Sequence, residues 1–239
     1  DPFTDVPSDI RPNSGSVEDF GLGDAGKGHT AQEIVNLLVE RVRNSQLLNQ
    51  IQDFIHDSLK KIRKSPSEKR ILVVSSRYNG SDNAGHEVIE NNEEIALHQL
   101  PVAVTQEDAL GVIAKGMLVH PVNLVTEIKY VSGKLGGDLK GELLIDQNVV
   151  VVSDLQRAFE GYTNQLLEVG KGATGSGIAQ GYSTFYEKRA ITMRDYISDE
   201  WENKFRLQYK YYAKLFDGEN ILKDVEVYNL NDNGGRDKV

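Results

Sequence analysis

Two Glu-Lys-Arg triplets, Glu68-Lys69-Arg70 and Glu187-Lys188-Arg189, each stand directly before an apolar stretch. The first leads into Ile71-Leu72-Val73-Val74 and the second into Ala190-Ile191-Thr192-Met193. Adjacent cations at such a junction are what dibasic endoproteases of the secretory pathway read, because an acidic cleft holds both charges. Lys69, Arg70, Lys188 and Arg189 are therefore expected as processing residues that divide the chain into three pieces. The plainer alternative is that both pairs are ordinary charged residues at strand starts. A second motif, the run from Gly21 to Gly28, places Lys27 after Gly26 and leads toward a capped helix. Backbone amides wrapped by glycines at a helix start suit a phosphate. The acidic flank and the glycine at position 28, where a hydroxyl would bind magnesium, favour a flexible linker instead. His86, Glu90, Glu93 and Glu94 lack the spacing of a metal motif and read as a solvated acidic helix face, so no metal and no cofactor is expected.

Composition bounds what such residues serve. With 239 residues, the chain is long enough to bury a core. A hydrophobic share of 39% and a charged share of 26% mark a soluble globular protein. A net charge of -9 argues against a nucleic-acid partner, since phosphate neutralisation needs a basic face. The chain has no cysteine, which removes thiol chemistry and disulfides. Asp1-Pro2-Phe3 fits a terminus left after a signal peptide, and Asn79-Gly80-Ser81 is a glycosylation sequon with Asn79 as acceptor.

The elements expected to carry these residues form an α+β fold. A long N-terminal amphipathic helix packs with a largely antiparallel sheet and a C-terminal β-hairpin. Residues 1–29 read as a flexible arm, 30–70 as a helical pro-segment, 71–189 as an α/β core segment and 190–239 as the hairpin segment. Thr30 with Glu33 forms a capping box, and apolar residues at helical spacing run on to Ile62. A strand is expected at 71–76, a helix around 86–97, a short strand at 102–104 and a helix over 106–115. Strands follow at 122–131, 142–146 and 149–153, then a helix over 154–168. Phe205, Leu207, Tyr209 and Tyr211 alternate with polar residues, which predicts a strand turning at Asp217-Gly218.

Three resemblances follow from these residues. The stretch from Val122 to Ser153 resembles the stored amphipathic hairpin of β-pore-forming toxins. On that resemblance Val125, Ile128, Val131, Leu135, Leu139, Leu143 and Ile145 form the lipid-facing, membrane-active side. Arg77, Tyr182-Ser183-Thr184 and Asp224-Val225-Glu226 follow the order of the mono-ADP-ribosyltransferase toxins. That resemblance implies Arg77 on a phosphate, Ser183 ordering the site and Glu226 stabilising a ribosyl cation. The layout of the two Glu-Lys-Arg sites resembles the yeast killer-toxin precursors. It implies a secreted, toxin-like glycoprotein, matured by dibasic cleavage, that forms a homo-oligomer and acts at a target-cell membrane or surface receptor as a pore former. The alternatives are an ADP-ribosyltransferase-like enzyme and a structural protein that self-associates through the 30–64 helix.

Overall fold

The computed structural model describes residues 27–44, 71–166, 173–215 and 228–238. Helix α1 (Lys27–Arg43) presents Val35 and Val39 to Leu72 and Val73 at the start of the first strand. The described part of the expected long helix ends at Arg43, and residues 45–64 lie outside the described residues. Strand β1 (Val73–Arg77) occupies the stretch where a strand was expected.

Residues 86–97 form a hairpin, β2 (His86–Glu90) and β3 (Glu93–Leu97), where a helix was expected. The reason lies in Asn91 and Asn92, which hold φ of 51° and 62°. That pair of left-handed residues makes a two-residue turn matched to strand twist. It sets Val88 opposite Ile95, both fully buried. Residues Val102–Thr105 are a 3-10 turn, not a strand. The helix expected over 106–115 is instead β4 (Ala109–Ile113), entered through Asp108 at φ 57°.

Strand β5 (Leu118–Val119) leads into α2 (Pro121–Lys134), where a membrane-active strand was expected. Pro121 in the first turn and His120 as N-cap, its Nδ1 accepting from the Asn123 amide at 3.3 Å, start the helix. Leu124, Ile128, Val131 and Leu135 then recur at intervals of four, three and four, which is helical spacing. Val131 is fully buried. Ile128, Leu135, Leu139, Leu143 and Ile145 pack against the same core, whereas Val125 is exposed. The residues assigned to lipid contact are therefore mostly the interior of this fold.

Strands β6 (Glu142–Ile145) and β7 (Val150–Val151) precede α3 (Asp154–Leu166). Helix α4 (Ile178–Tyr186), β8 (Ile191–Thr192), the short α5 (Met193–Tyr196) and α6 (Trp201–Leu215) follow. Helix α6 replaces the first strand of the expected C-terminal hairpin. Its buried residues are Gln208 and Tyr212, four apart, while the alternating Leu207, Tyr209 and Tyr211 face outward. The last elements are the short antiparallel pair β9 (Tyr228–Leu230) and β10 (Arg236–Lys238).

Parallel pairing dominates the larger sheets. One sheet runs β1-β4-β6, with Val73 opposite Ala109 and Leu110 opposite Glu142, all parallel. A second runs β5-β7-β8, parallel between β5 and β7 and antiparallel between β7 and β8. The main core lies between these strands and α2, around Ile113, Met117, Val119 and Val149. Because β8 pairs with β7, the stretch after Arg189 packs into the same body as the stretch before it.

Candidate functional site

In parallel sheets ligands settle in the crevice outside the carboxyl ends of the strands. Here β1 ends at Arg77 and feeds the loop 78–85, β4 feeds 114–117, and β6 feeds 146–149. Strands β5 and β7 end at the starts of α2 and α3. The loops are tied to one another: the Ala114 amide donates to the Arg77 carbonyl at 2.8 Å, and the Leu118 amide to the Gly80 carbonyl at 2.8 Å. Tyr182, on α4, bridges two of them, since its hydroxyl accepts from the Gly80 amide at 3.0 Å and donates to the Gly116 carbonyl at 2.9 Å. Gly116 has φ +105°, and a Cβ there would lie 2.5 Å from the Tyr78 carbonyl oxygen. Only glycine fits that approach.

Beside this crevice lies a buried polar cluster. Arg157 is almost completely enclosed and donates through one nitrogen to Asn229, with His120 Nε2 at 3.3 Å and Asp154 at 3.4 Å. Burial lowers the Arg157 pKa, while the nearby charges of Asp82 and Asp154 oppose the shift. The hydrogen bond with His120, at 3.2 Å, holds Asp154 below its ordinary range. Asp82 is buried and accepts from the Asn123 side-chain amide. Glu160, also buried, accepts from the Gly177 amide at 2.9 Å and the Ala179 amide at 3.1 Å, which occupies the first amides of α4. Gly177 needs its left-handed φ of +74° to turn there, and a Cβ would meet Val152 and Arg157.

The residues singled out from sequence fall in different places. Arg77 stands at the carboxyl end of β1, its pKa lowered by burial, with Glu127 the opposing charge. Ser183 lies on a helix, not a strand, and its hydroxyl donates to Glu187 at 2.5 Å. Glu226, Lys69 and Arg70 lie outside the described residues, as do Gly21 to Gly26. Asn79 is exposed in the loop after β1, but the Ser81 of its sequon is buried. Lys188 has φ 59°, and Arg189 pairs with Glu187 and stacks 3.8 Å from the Tyr211 ring centroid. Both residues line a cavity of about 310 Å³ with Lys204, Gln208 and Tyr211. Arg189 is thus built into the fold, while Lys188 is exposed. Among the described residues no cluster of three or more His, Asp or Glu side chains converges on a metal position. In the sequence the loop after β1 carried only a glycosylation sequon and Tyr182 only a toxin-like pattern, and neither pointed to the crevice. The periodicity of β4 and α2, read correctly, was the signal that would have located their ends.

Comparison with known proteins identifies the family and the fold. The family model for adenylosuccinate synthetase matches residues 61–233. The adenylosuccinate synthetase of Chlorobium limicola is 33% identical over 152 residues, covering 63% of this chain and 34% of that protein. That of Plasmodium vivax is 30% identical over 162 residues, covering 66% and 34%. The solved structure of fully ligated adenylosuccinate synthetase from Plasmodium falciparum superposes with a TM-score of 0.54 at 24% identity, over 71% of this chain and 38% of that one, and so shares the fold. The chain spans about a third of the length of the curated relatives it matches. These matches overturn the killer-toxin precursor expectation and with it secretion, pore formation and a membrane or receptor partner. They equally leave the ADP-ribosyltransferase reading without support, since the match spans both Arg77 and Ser183. The chain belongs to the adenylosuccinate synthetase family.

Proposed function

We propose that this chain works as part of an adenylosuccinate synthetase, and that it holds the purine nucleotide in the crevice over the carboxyl ends of β1, β4, β5, β6 and β7. The observation that carries this is the family match over residues 61–233, which takes in every one of those strands and the loops they feed. Adenylosuccinate is an anion with a phosphate and two carboxylates, so a chain of net charge -9 needs local donors to hold it. Arg77, at the carboxyl end of β1, and the exposed Lys115, in the loop after β4, are the cations these loops offer. The glycine-rich run from Gly21 supports the same reading. Lys27, which follows that run in the sequence, stands in the first turn of helix α1, and a phosphate is favoured at a helix N-terminus.

Calorimetric titration with adenylosuccinate tests this, with adenosine as the control that lacks all three acidic groups. Saturable binding of the first and none of the second is expected. Tyr182→Phe removes the bridge between Gly80 and Gly116 and should weaken binding by roughly three- to tenfold. No saturable binding of adenylosuccinate by the wild-type chain would remove the reading.

A further inference from the structure

The hairpin β9–β10 sits on residues of α2, α3 and the loop after β3. The Gly234 carbonyl lies 3.2 Å from His98 Nε2, and a Cβ on Gly234 would lie 2.9 Å from the Tyr130 ring. The Leu230 amide donates to Asn123 at 3.2 Å, and Asn229 accepts from Arg157. Its turn is fixed internally by Asn231, whose side-chain oxygen accepts from the amides of Asn233 at 3.1 Å and Gly235 at 2.8 Å. From this base Arg236 reaches two segments whose other recorded tie runs through Tyr182 of α4 to Gly80. One guanidinium nitrogen donates to the Asp82 backbone carbonyl, and the other lies 3.4 Å from the Ser176 hydroxyl. Asp82 belongs to the loop after β1, and Ser176 to the segment before α4. Both residues are almost completely buried.

We propose that Arg236 is a positioning residue that fixes the loop 78–85 and the segment before α4 in one relative geometry, through the Asp82 carbonyl and the Ser176 hydroxyl. A planar fork with donors at a fixed separation suits such a bridge, whereas a lysine is a point charge that reaches one acceptor at a time. Asp82 cannot set the loop alone, since only one of its carboxylate oxygens is hydrogen-bonded, to Asn123. The consequence for ligand binding rests on the crevice reading above; the consequence for loop order does not.

Amide hydrogen exchange read by mass spectrometry on the full chain, paired with adenylosuccinate titration, tests this. Arg236→Gln should raise exchange about tenfold in peptides covering 78–85 and 173–179, consistent with loss of a charged hydrogen bond, and leave β2–β3 and α2 unchanged. It should weaken adenylosuccinate binding by a similar factor. Arg236→Lys should restore protection of 78–85 without restoring 173–179. Ser176→Ala should loosen only 173–179, and it supplies the same contrast should Arg236→Gln fail to fold. Unchanged exchange at 78–85 in Arg236→Gln, or an equal rise everywhere, would overturn the assignment. If the wild-type chain does not bind adenylosuccinate, the proposed function falls while the exchange contrast still decides this one.

Discussion

Glu127, on α2, is almost completely buried and accepts the backbone amides of His98 at 2.6 Å, Gln99 at 2.8 Å and Leu100 at 3.0 Å. Burial raises its pKa, and those three amides pull the other way. Removing the carboxylate leaves three enclosed N–H groups with no acceptor, each a loss of one to three kcal/mol. Glu127→Ala should therefore cost about 3 kcal/mol or more in urea unfolding, and Glu127→Gln less, because one carbonyl oxygen remains. Asp154 gives a pH signature of its own. Its folded pKa lies below the ordinary 3.8, held down first by the hydrogen bond with His120. A depressed acid contributes stability that is fully present above its unfolded pKa and is lost as pH falls through the folded one. The stability gap between wild type and Asp154→Asn should shrink as pH falls through the ordinary aspartate range and close below it. A gap that persists in strong acid would show that the ion is not its source.

Among the elements, α2 separates the fold from the hairpin that its composition suggested. Val131→Ala opens space in the core and should cost roughly 2 kcal/mol, whereas Val125→Asp, on the exposed side, should stay within about 0.5 kcal/mol. A lipid-facing strand would predict equal sensitivity at both positions. Gly116→Ala forces a side chain into left-handed backbone against the Tyr78 carbonyl, and should destabilise by about 1 to 3 kcal/mol. What was legible in the sequence was local and regular. The strand at Val73–Arg77, the strand at Glu142–Ile145 and the helix Asp154–Leu166 all lie where apolar spacing placed them. What was missed had two physical causes. Val122, Val125, Ile128 and Val131 are β-branched, which masked a helix that Pro121 and the four-three-four spacing specify. In Phe205 to Tyr211 the aromatic alternation lies largely on the solvent face, so its period carries no burial information. The crevice was illegible for a third reason: its bonds join residues about forty to a hundred positions apart, and no local pattern encodes such pairs.

At the scale of the whole molecule, Arg189 is tied into the body through its backbone and side chain, while Lys188 beside it is exposed. The Arg189 amide donates to the Thr184 carbonyl at 2.8 Å, its carbonyl accepts from Gln208 at 3.1 Å, and its side chain lies on Tyr211. A protease must pull this stretch into extended form before it can cleave. Incubation with a dibasic-specific endoprotease should leave the bond after Arg189 intact in the native protein and cleave it in urea; rapid native cleavage there would contradict the packing. The same body is assembled from distant parts, with parallel partners such as Val73 and Ala109 and a latch from Arg236 back to Asp82, 154 positions earlier. During synthesis the strands at the front of the chain emerge long before the arginine that closes over them. The loop behind β1 can take its bonds to Leu118 and Tyr182 well before the Arg236 contact, which forms only once residue 236 has cleared the exit tunnel.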